Sequence, residues 1–326
     1  MKLTLRRRHF LNLVGAAALP ALPRVSNAQD YPARPVRILV GFPAGGSTDV
    51  IARLMAQWLS ERLGQRFIVE NIPGAGTNIA TESVVQADPD GYTLLLVTAS
   101  NAINATMYER LNFNFLRDIV PVASIIRLPN VMAVNPTIPA TTVPEFIDYA
   151  KSNPGRINMA SGGIGSISQV SGELFKMMAD VNLFHVPYRG DAPALVDMVS
   201  GQMQVMFDLI SAAIEFVKDG RLRALAVTSA DRSQLLPNLP AVSEFLPGYD
   251  STSFEGLGAP KNTPAGIIAK LNMEVNAALV DPNFKARLSG LGGQIFAGSP
   301  TDFGKFLSDE TNKWAKVIKF AGIKPG

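Results

Sequence analysis

The chain has 326 residues, 47% of them hydrophobic and 17% charged, with no cysteine and a formal charge of +3; that size and apolarity imply a sizeable core in one large or two medium domains and exclude disorder over most of the length. The lack of cysteine excludes disulfides, thiolate metal sites, iron–sulfur clusters, a thiol nucleophile and a lipoprotein anchor. The positive charge lies at the start: residues 1–28 hold Lys2, Arg6, Arg7, Arg8 and Arg24 and no acid, and the rest carries 25 basic against 27 acidic residues, which offers no footprint for nucleic acid.

In chain order, residues 1–28 read as a cleaved signal peptide: a basic start, an apolar run from Leu11 to Leu22 broken by Pro20, and Ser26-Asn27-Ala28 before Gln29. That run is shorter than the roughly 20 residues a bilayer span needs. Arg6-Arg7-Arg8-His9-Phe10-Leu11 is similar to a twin-arginine signal, and this route, like an ordinary secretory one, leads outside the cytoplasm. The mature chain is expected to start near Gln29 in the periplasm.

From Arg37 onward short Val, Ile and Leu-rich runs alternate with Gly or Ser-rich loops and segments of helical period. Arg37 to Phe42 predicts a strand, and Asp49 to Leu63 a helix stopped by Gly64. Phe67 to Glu70 and Thr93 to Thr98 predict strands, with a helix over Asn78 to Ala87 between them. Further strands are expected at Val131 to Val134, Asn158 to Ala160, Phe184 to Val186, Val205 to Phe207 and Leu222 to Val227. Helices are expected after the Thr142 cap, at Ile167 to Met178, Pro193 to Val199 and Ala212 to Val217, and, beyond a Pro and Gly-rich stretch, at Ala265 to Leu279 and Phe303 to Ile318. This pattern implies an α/β class with parallel sheets, and two domains rather than one very wide sheet.

Three glycine-rich loops each follow a strand and open a helix: Pro43 to Asp49, Pro73 to Asn78 and Ser161 to Ser166. Such loops leave backbone N–H groups free at a helix N-terminus, where an anion is favoured. None carries a nucleotide-binding pattern, so a small carboxylate suits them better. No cofactor or metal set is expected. A histidine-based enzyme would have only His185 after the signal, and that residue reads either as a hydrogen-bonded structural group or as a general base. Asp208 reads equally as a turn cap or a ligand contact, Arg189 as a partner for a second ligand carboxylate or a solvated rim residue. Phe42, Tyr188 and Phe207 either flank an aromatic ligand or pack a core.

The string Gly41-Phe42-Pro43-Ala44-Gly45-Gly46-Ser47-Thr48-Asp49-Val50, with Pro73-Gly74-Ala75-Gly76, Pro89-Asp90-Gly91-Tyr92-Thr93, Val186-Pro187-Tyr188-Arg189-Gly190 and Leu222-Arg223-Ala224-Leu225-Ala226-Val227-Thr228, resembles the Bug receptors. These are the TctC-like periplasmic solute-binding proteins of tripartite tricarboxylate transporters, and the resemblance runs from about Tyr31 to the C-terminus. It implies a two-domain, type II periplasmic-binding-protein clamshell, a Venus flytrap, with domain 1 formed by 29–128 and 252–326 and domain 2 by 129–251. It implies a monomer that is not an enzyme, with a small carboxylate, bridging waters and the transporter's membrane components as partners. The ligand contacts it implies are Phe42, Ala44, Gly46, Ser47, Thr48, Asp49, Gly74, Ala75, Gly76, Ser100 and Asn101 in the first domain. In the second they are Ser161, Gly162, Gly163, Gly165, Tyr188, Arg189 and Asp208. Two positions depart from the pattern: Thr77, where many relatives carry glycine and where a β-branch is expected to restrict the ligand, and Phe254, where many carry tryptophan and where packing is expected. The alternatives are a ligand sensor for a membrane kinase and a hydrolase or lyase using His185.

Overall fold

A computed structural model describes residues 31–325; the expected signal peptide, its twin arginines and its cleavage point lie outside them. In chain order the elements are β1 (Val36–Val40), α1 (Ser47–Leu63), β2 (Phe67–Asn71), α2 (Asn78–Val85), β3 (Thr93–Thr98), α3 (Ala99–Met107), α4 (Phe115–Asp118) and β4 (Ile119–Val134). There follow α5 (Val143–Ser152), β5 (Asn158–Ser161), α6 (Ile167–Ala179), β6 (Phe184–Pro187), α7 (Asp191–Ser200), β7 (Val205–Leu209), α8 (Ile210–Lys218) and β8 (Arg223–Val227). The chain ends with β9 (Thr252–Pro260), α9 (Ala265–Val280), α10 (Pro282–Gly290), β10 (Gln294–Ile295) and α11 (Pro300–Ala321).

Local signals account for many of the helix ends. α1 stops at Gly64, whose left-handed backbone lets its N–H reach the Ser60 carbonyl. Thr142 caps α5 by accepting from the Glu145 N–H, and Ser166 does the same for α6 from Gln169. The last helix opens on a capping box of Ser299 and Asp302 with Pro300 in its first turn.

The strands form two half-sheets joined through β4. Its first part, Ile119 to Pro129, pairs with β9, whereas Asn130 to Val134 pairs with β7 and β8. The hydrogen-bonded path therefore runs β2-β1-β3-β9-β4-β7-β5-β6 through ten connected strands, although only β4 belongs to both halves. Within each half the βα units give the expected parallel pairs, β1 with β2 and β3, and β5 with β6 and β7. The expectation of purely parallel sheets fails at β4 and β9. These strands pair antiparallel to each other and to β3, β7 and β8. A strand returning from the opposite half enters its sheet from the other end and needs no crossover helix.

Residues 128–130, 228 and 251 tie the connection together. Thr228 N–H donates to the Asn130 carbonyl at 2.9 Å, Asn130 N–H to Thr228 Oγ1 at 2.9 Å, and Ser251 N–H to the Thr228 carbonyl at 2.8 Å. α6 also reaches across, since its Ser171 Oγ lies 2.6 Å from Ser251 Oγ and Tyr249 Oη donates to the Ser171 carbonyl at 3.0 Å. Phe254, as expected, is a packing residue: it is fully buried and meets Phe306 edge-on with ring centres 4.8 Å apart.

Candidate functional site

A cavity of about 470 Å3 opens between the halves at the carboxyl ends of their parallel strands. Phe42, Gly76, Ser100, Asn104, Met107 and Tyr108 line it from the first half, and Gly162 to Ser166, Pro187 and Tyr188 from the second. Its size suits a small molecule. A larger hollow of about 560 Å3 lies beside the β8 side, lined by residues such as Val217, Leu222 and Leu236. Its one charged residue, Arg223, is committed to the carbonyls of Ile138 and Ala140, so it lacks the convergent polar groups of the interlobe cavity.

Of the expected contacts, Phe42, Gly76, Ser100, Gly162, Gly163, Gly165 and Tyr188 meet on this wall. Ala44, Gly46, Ser47, Thr48, Asp49, Gly74, Ala75, Asn101, Ser161, Arg189 and Asp208 are not part of the lining. The loops explain much of this division.

In the first loop, the earliest α1 N–H with a helical acceptor is that of Val50, 3.0 Å from the Gly46 carbonyl. The donors of Ser47, Thr48 and Asp49 are left without one, as at any helix start. The Asp49 side chain turns back into its own loop: Oδ2 accepts from Gly45 N–H at 3.0 Å and Arg53 Nε at 2.9 Å, and Oδ1 from Asn71 Nδ2 at 3.0 Å. Burial works against its charge, but these partners outweigh it and hold the carboxyl below its ordinary range.

The second loop passes through three successive left-handed residues, Ala75, Gly76 and Thr77, at φ 45°, 61° and 83°. Thr77 N–H closes the turn on the Gly74 carbonyl at 3.0 Å. The side chain of Thr77 is 3% exposed and faces Gly41 rather than the cavity, which corrects the expected restriction on ligand size. Asn101 is similarly internal: its amide donates to Thr77 Oγ1 at 3.3 Å and Thr81 Oγ1 at 2.8 Å, and its Oδ1 accepts from Thr98 N–H at 2.8 Å.

The third loop departs from the expectation that its N–H groups are free. Gly162 N–H donates to Ser168 Oγ at 2.9 Å, Gly163 N–H to Ser161 Oγ at 3.3 Å, and Gly165 N–H to Gln169 Oε1 at 2.7 Å. A glycine loop preceding a Ser/Gln-rich helix start satisfies itself, so this half offers the cavity a shaped wall rather than backbone donors. Tyr188 shows a ring to the cavity while its hydroxyl donates to Asp197 Oδ2 at 2.6 Å. Burial and that carboxylate push its pKa to about 12. Phe207 is fully buried against Phe175, so of the three aromatic candidates it is the core residue.

These features match a known family. The sequence signature described as "Tripartite tricarboxylate transporter family receptor" covers residues 51–323. The chain belongs to this family. The receptor is 34% identical over 301 residues to Protein BugT of Bordetella pertussis, covering 91% of this chain and 92% of that one. Its fold is similar to that of R. palustris Rpa4515, solved with adipate, at TM-score 0.79 and 37% identity over 91% of this chain and all of that one. MatC from Rhodopseudomonas palustris, solved with bound malate, superposes at TM-score 0.74 with 31% identity over 88% of this chain and all of that one. The receptor thus has the mixed α/β, two-domain periplasmic-binding-protein fold, and its family consists of substrate-binding receptors. Among the described residues no helix is long and apolar enough to cross a membrane.

Two buried acids and the histidine complete the electrostatics of the receptor. Asp208 is 2% exposed at the end of β7; its Oδ1 accepts from Leu209 N–H at 2.8 Å and its Oδ2 has no partner. Burial, then the neighbouring Asp191, push its pKa up to about 8. Arg189 is exposed and has no ion-pair partner among the described residues. His185 Nε2 lies 2.7 Å from Ser161 Oγ, and Gln169 Nε2 lies 3.2 Å from its Nδ1. Gln169 Oε1 accepts from Gly165, so its amide nitrogen donates to Nδ1 and the imidazole proton sits on Nε2. In that tautomer His185 donates to Ser161 and cannot withdraw its proton. Burial, aided by Lys176, lowers the His185 pKa to about 4.

Sequence reasoning missed Asn104, Met107 and Tyr108, all of which depend on α3, and it missed Glu255. Asn104 Nδ2 donates to the Gly76 carbonyl and bridges to Asn78 Oδ1 at 3.2 Å. The available signals were the Thr98–Asn101 cap and the i, i+4 pair Ile103 and Met107. Glu255 is the lone acid of the apolar run 252–260.

Proposed function

We propose that this receptor is exported to the periplasm, captures a small organic acid between its lobes without transforming it, and delivers it to the membrane components of a tripartite tricarboxylate transporter. The observation that carries the reading is the unpaired backbone donors of Ser47, Thr48 and Asp49 at the start of α1, near the cavity edge formed by Phe42 and Gly76. A carboxylate is the anion these donors suit, since they combine with the helix dipole and ask for no lysine. The adipate and malate bound by the two R. palustris relatives agree with that chemistry. Lobe closure would bring Tyr188, Arg189 and Asp208 toward the far end of the acid and exclude water, which strengthens the few polar contacts. We place the lobes at 29–128 plus 252–326 and at 129–251; the change of partner strand along β4 supports this division.

The test is a thermal-shift screen of the mature chain against mono-, di- and aromatic carboxylates, with matched amides and sugars. A ligand at 100 times its Kd adds about 2.7 kcal/mol to the native state. Acids are expected to raise the melt and their amides not to; a shift by sugars or amides alone would refute the carboxylate reading. Unchanged acid after prolonged incubation is the expected result for a receptor, and turnover would refute it.

A further inference from the structure

Glu255 lies on β9 opposite Thr98 of β3 and Ile126 of β4. It is 2% exposed, and its Oε2 has no hydrogen-bond partner. Alternation along β9 puts it on the face of Leu257 and Ala259, which pack with Ile51 and Ala52 of α1, while Phe254 points to the other side. The carboxyl therefore sits beneath the start of α1, in hydrogen-bonding reach of the Thr48 hydroxyl. The charged groups on neighbouring elements do not neutralise it. Asp49 and Arg53 on α1 pair with each other, and Arg127 of β4 lies over the Phe296 and Phe306 rings on the far face.

We propose that Glu255 is a proton-linked positioning residue: protonated, it donates to Thr48 Oγ1 and so turns the Thr48 hydroxyl hydrogen toward a ligand carboxylate at the start of α1. The inference rests on the reading of that helix start as the carboxylate site. When Glu255 ionises, the Thr48 hydroxyl turns inward to donate to it, and the ligand meets a lone pair backed by a negative charge. Capture of the acid is then coupled to uptake of one proton by the receptor. Burial, opposed by Thr48, raises the Glu255 pKa to about 7, which puts the switch near neutral pH.

The experiment is calorimetric titration of the mature receptor with adipate, malate and acetate between pH 6.5 and pH 8.5. A single group titrating near 7 weakens binding by about twentyfold over that range. In Glu255→Gln, whose amide donates to Thr48 at every pH, affinity is expected to stay level. Thr48→Val is expected to lose about tenfold at pH 6.5, while Thr48→Ser keeps both affinity and pH profile; these two variants decide the matter if Glu255→Gln does not fold. Level affinity in the unmodified receptor, or an equal fall in Glu255→Gln, overturns the proton link and leaves carboxylate capture standing. Failure of all three acids to bind at any pH overturns both.

Discussion

Asp49→Ala removes the acceptor that holds the first glycine loop. The structure sets the cost: two hydrogen bonds to a buried carboxylate, from Gly45 N–H and Asn71 Nδ2 at 3.0 Å each, are lost together with the Arg53 contact. Bonds to a charged group contribute about 1.5 to 3 kcal/mol each. The Arg53 side chain is 54% exposed, and water screens its pairing to below about 1 kcal/mol. The expected loss is therefore about 3 to 4 kcal/mol, or about 6 to 12 °C in melting temperature. Because the same loop presents the Ser47 to Asp49 donors, carboxylate affinity should fall at least tenfold in protein that is still folded at 25 °C. Differential scanning calorimetry and titration with adipate measure the two effects. A melt within 2 °C of the unmodified receptor, roughly what 1 kcal/mol or less would give, with unchanged affinity would refute the assignment of Asp49 as the loop's anchor.

A methyl group at Gly41 would lie 2.5 Å from Thr77 Cβ and 2.8 Å from its Cα, so Gly41→Ala should cost about 2 kcal/mol by overpacking. Thr77→Gly in the same chain should recover it, as urea denaturation of the two variants would show. Gly165, at φ +75°, would place a Cβ 2.6 Å from Met107 Sδ across the cavity; Gly165→Ala should lower both stability and acid affinity, and adding Met107→Ala should restore part of the stability but not the cost of the left-handed backbone. The folded receptor keeps Asp208 neutral up to about pH 8, whereas the unfolded chain ionises it near its ordinary value of 3.8. Its contribution is thus fully present below about pH 4 and is lost as pH rises to 8, because the native state binds the extra proton in that window. Asp208→Asn should gain stability relative to the unmodified receptor between pH 5 and pH 8, and parallel pH profiles in urea titrations would contradict this.

The βα units and the three glycine loops were legible because each rests on local pattern, an apolar run, a cap and a turn. β4 was legible only at its end, Val131 to Val134. Its earlier part contains Pro121 and Pro129, which argue against a strand; here Pro121 is tolerated where the register against β9 shifts. The helix Ala99 to Met107 is rich in Asn, Ser and Thr, residues that favour turns unless packing decides otherwise. The same limit governs the site. That a loop contains glycines could be read from the sequence, but whether its N–H groups are free depends on Ser168 and Gln169 further along the chain, and on Asp49 within the first loop. Glu255 carried no visible signal beyond being an acid among apolar neighbours, since its place beneath Thr48 is made by a strand arriving from the other lobe.

The most direct measurement is the backbone amide spectrum of the mature receptor during titration with adipate and with its diamide. The account predicts that the acid shifts the N–H signals of Ser47, Thr48, Asp49 and Gly76 together and saturably, and that the diamide leaves them in place. Saturable binding of the acid with those four signals unmoved would contradict it.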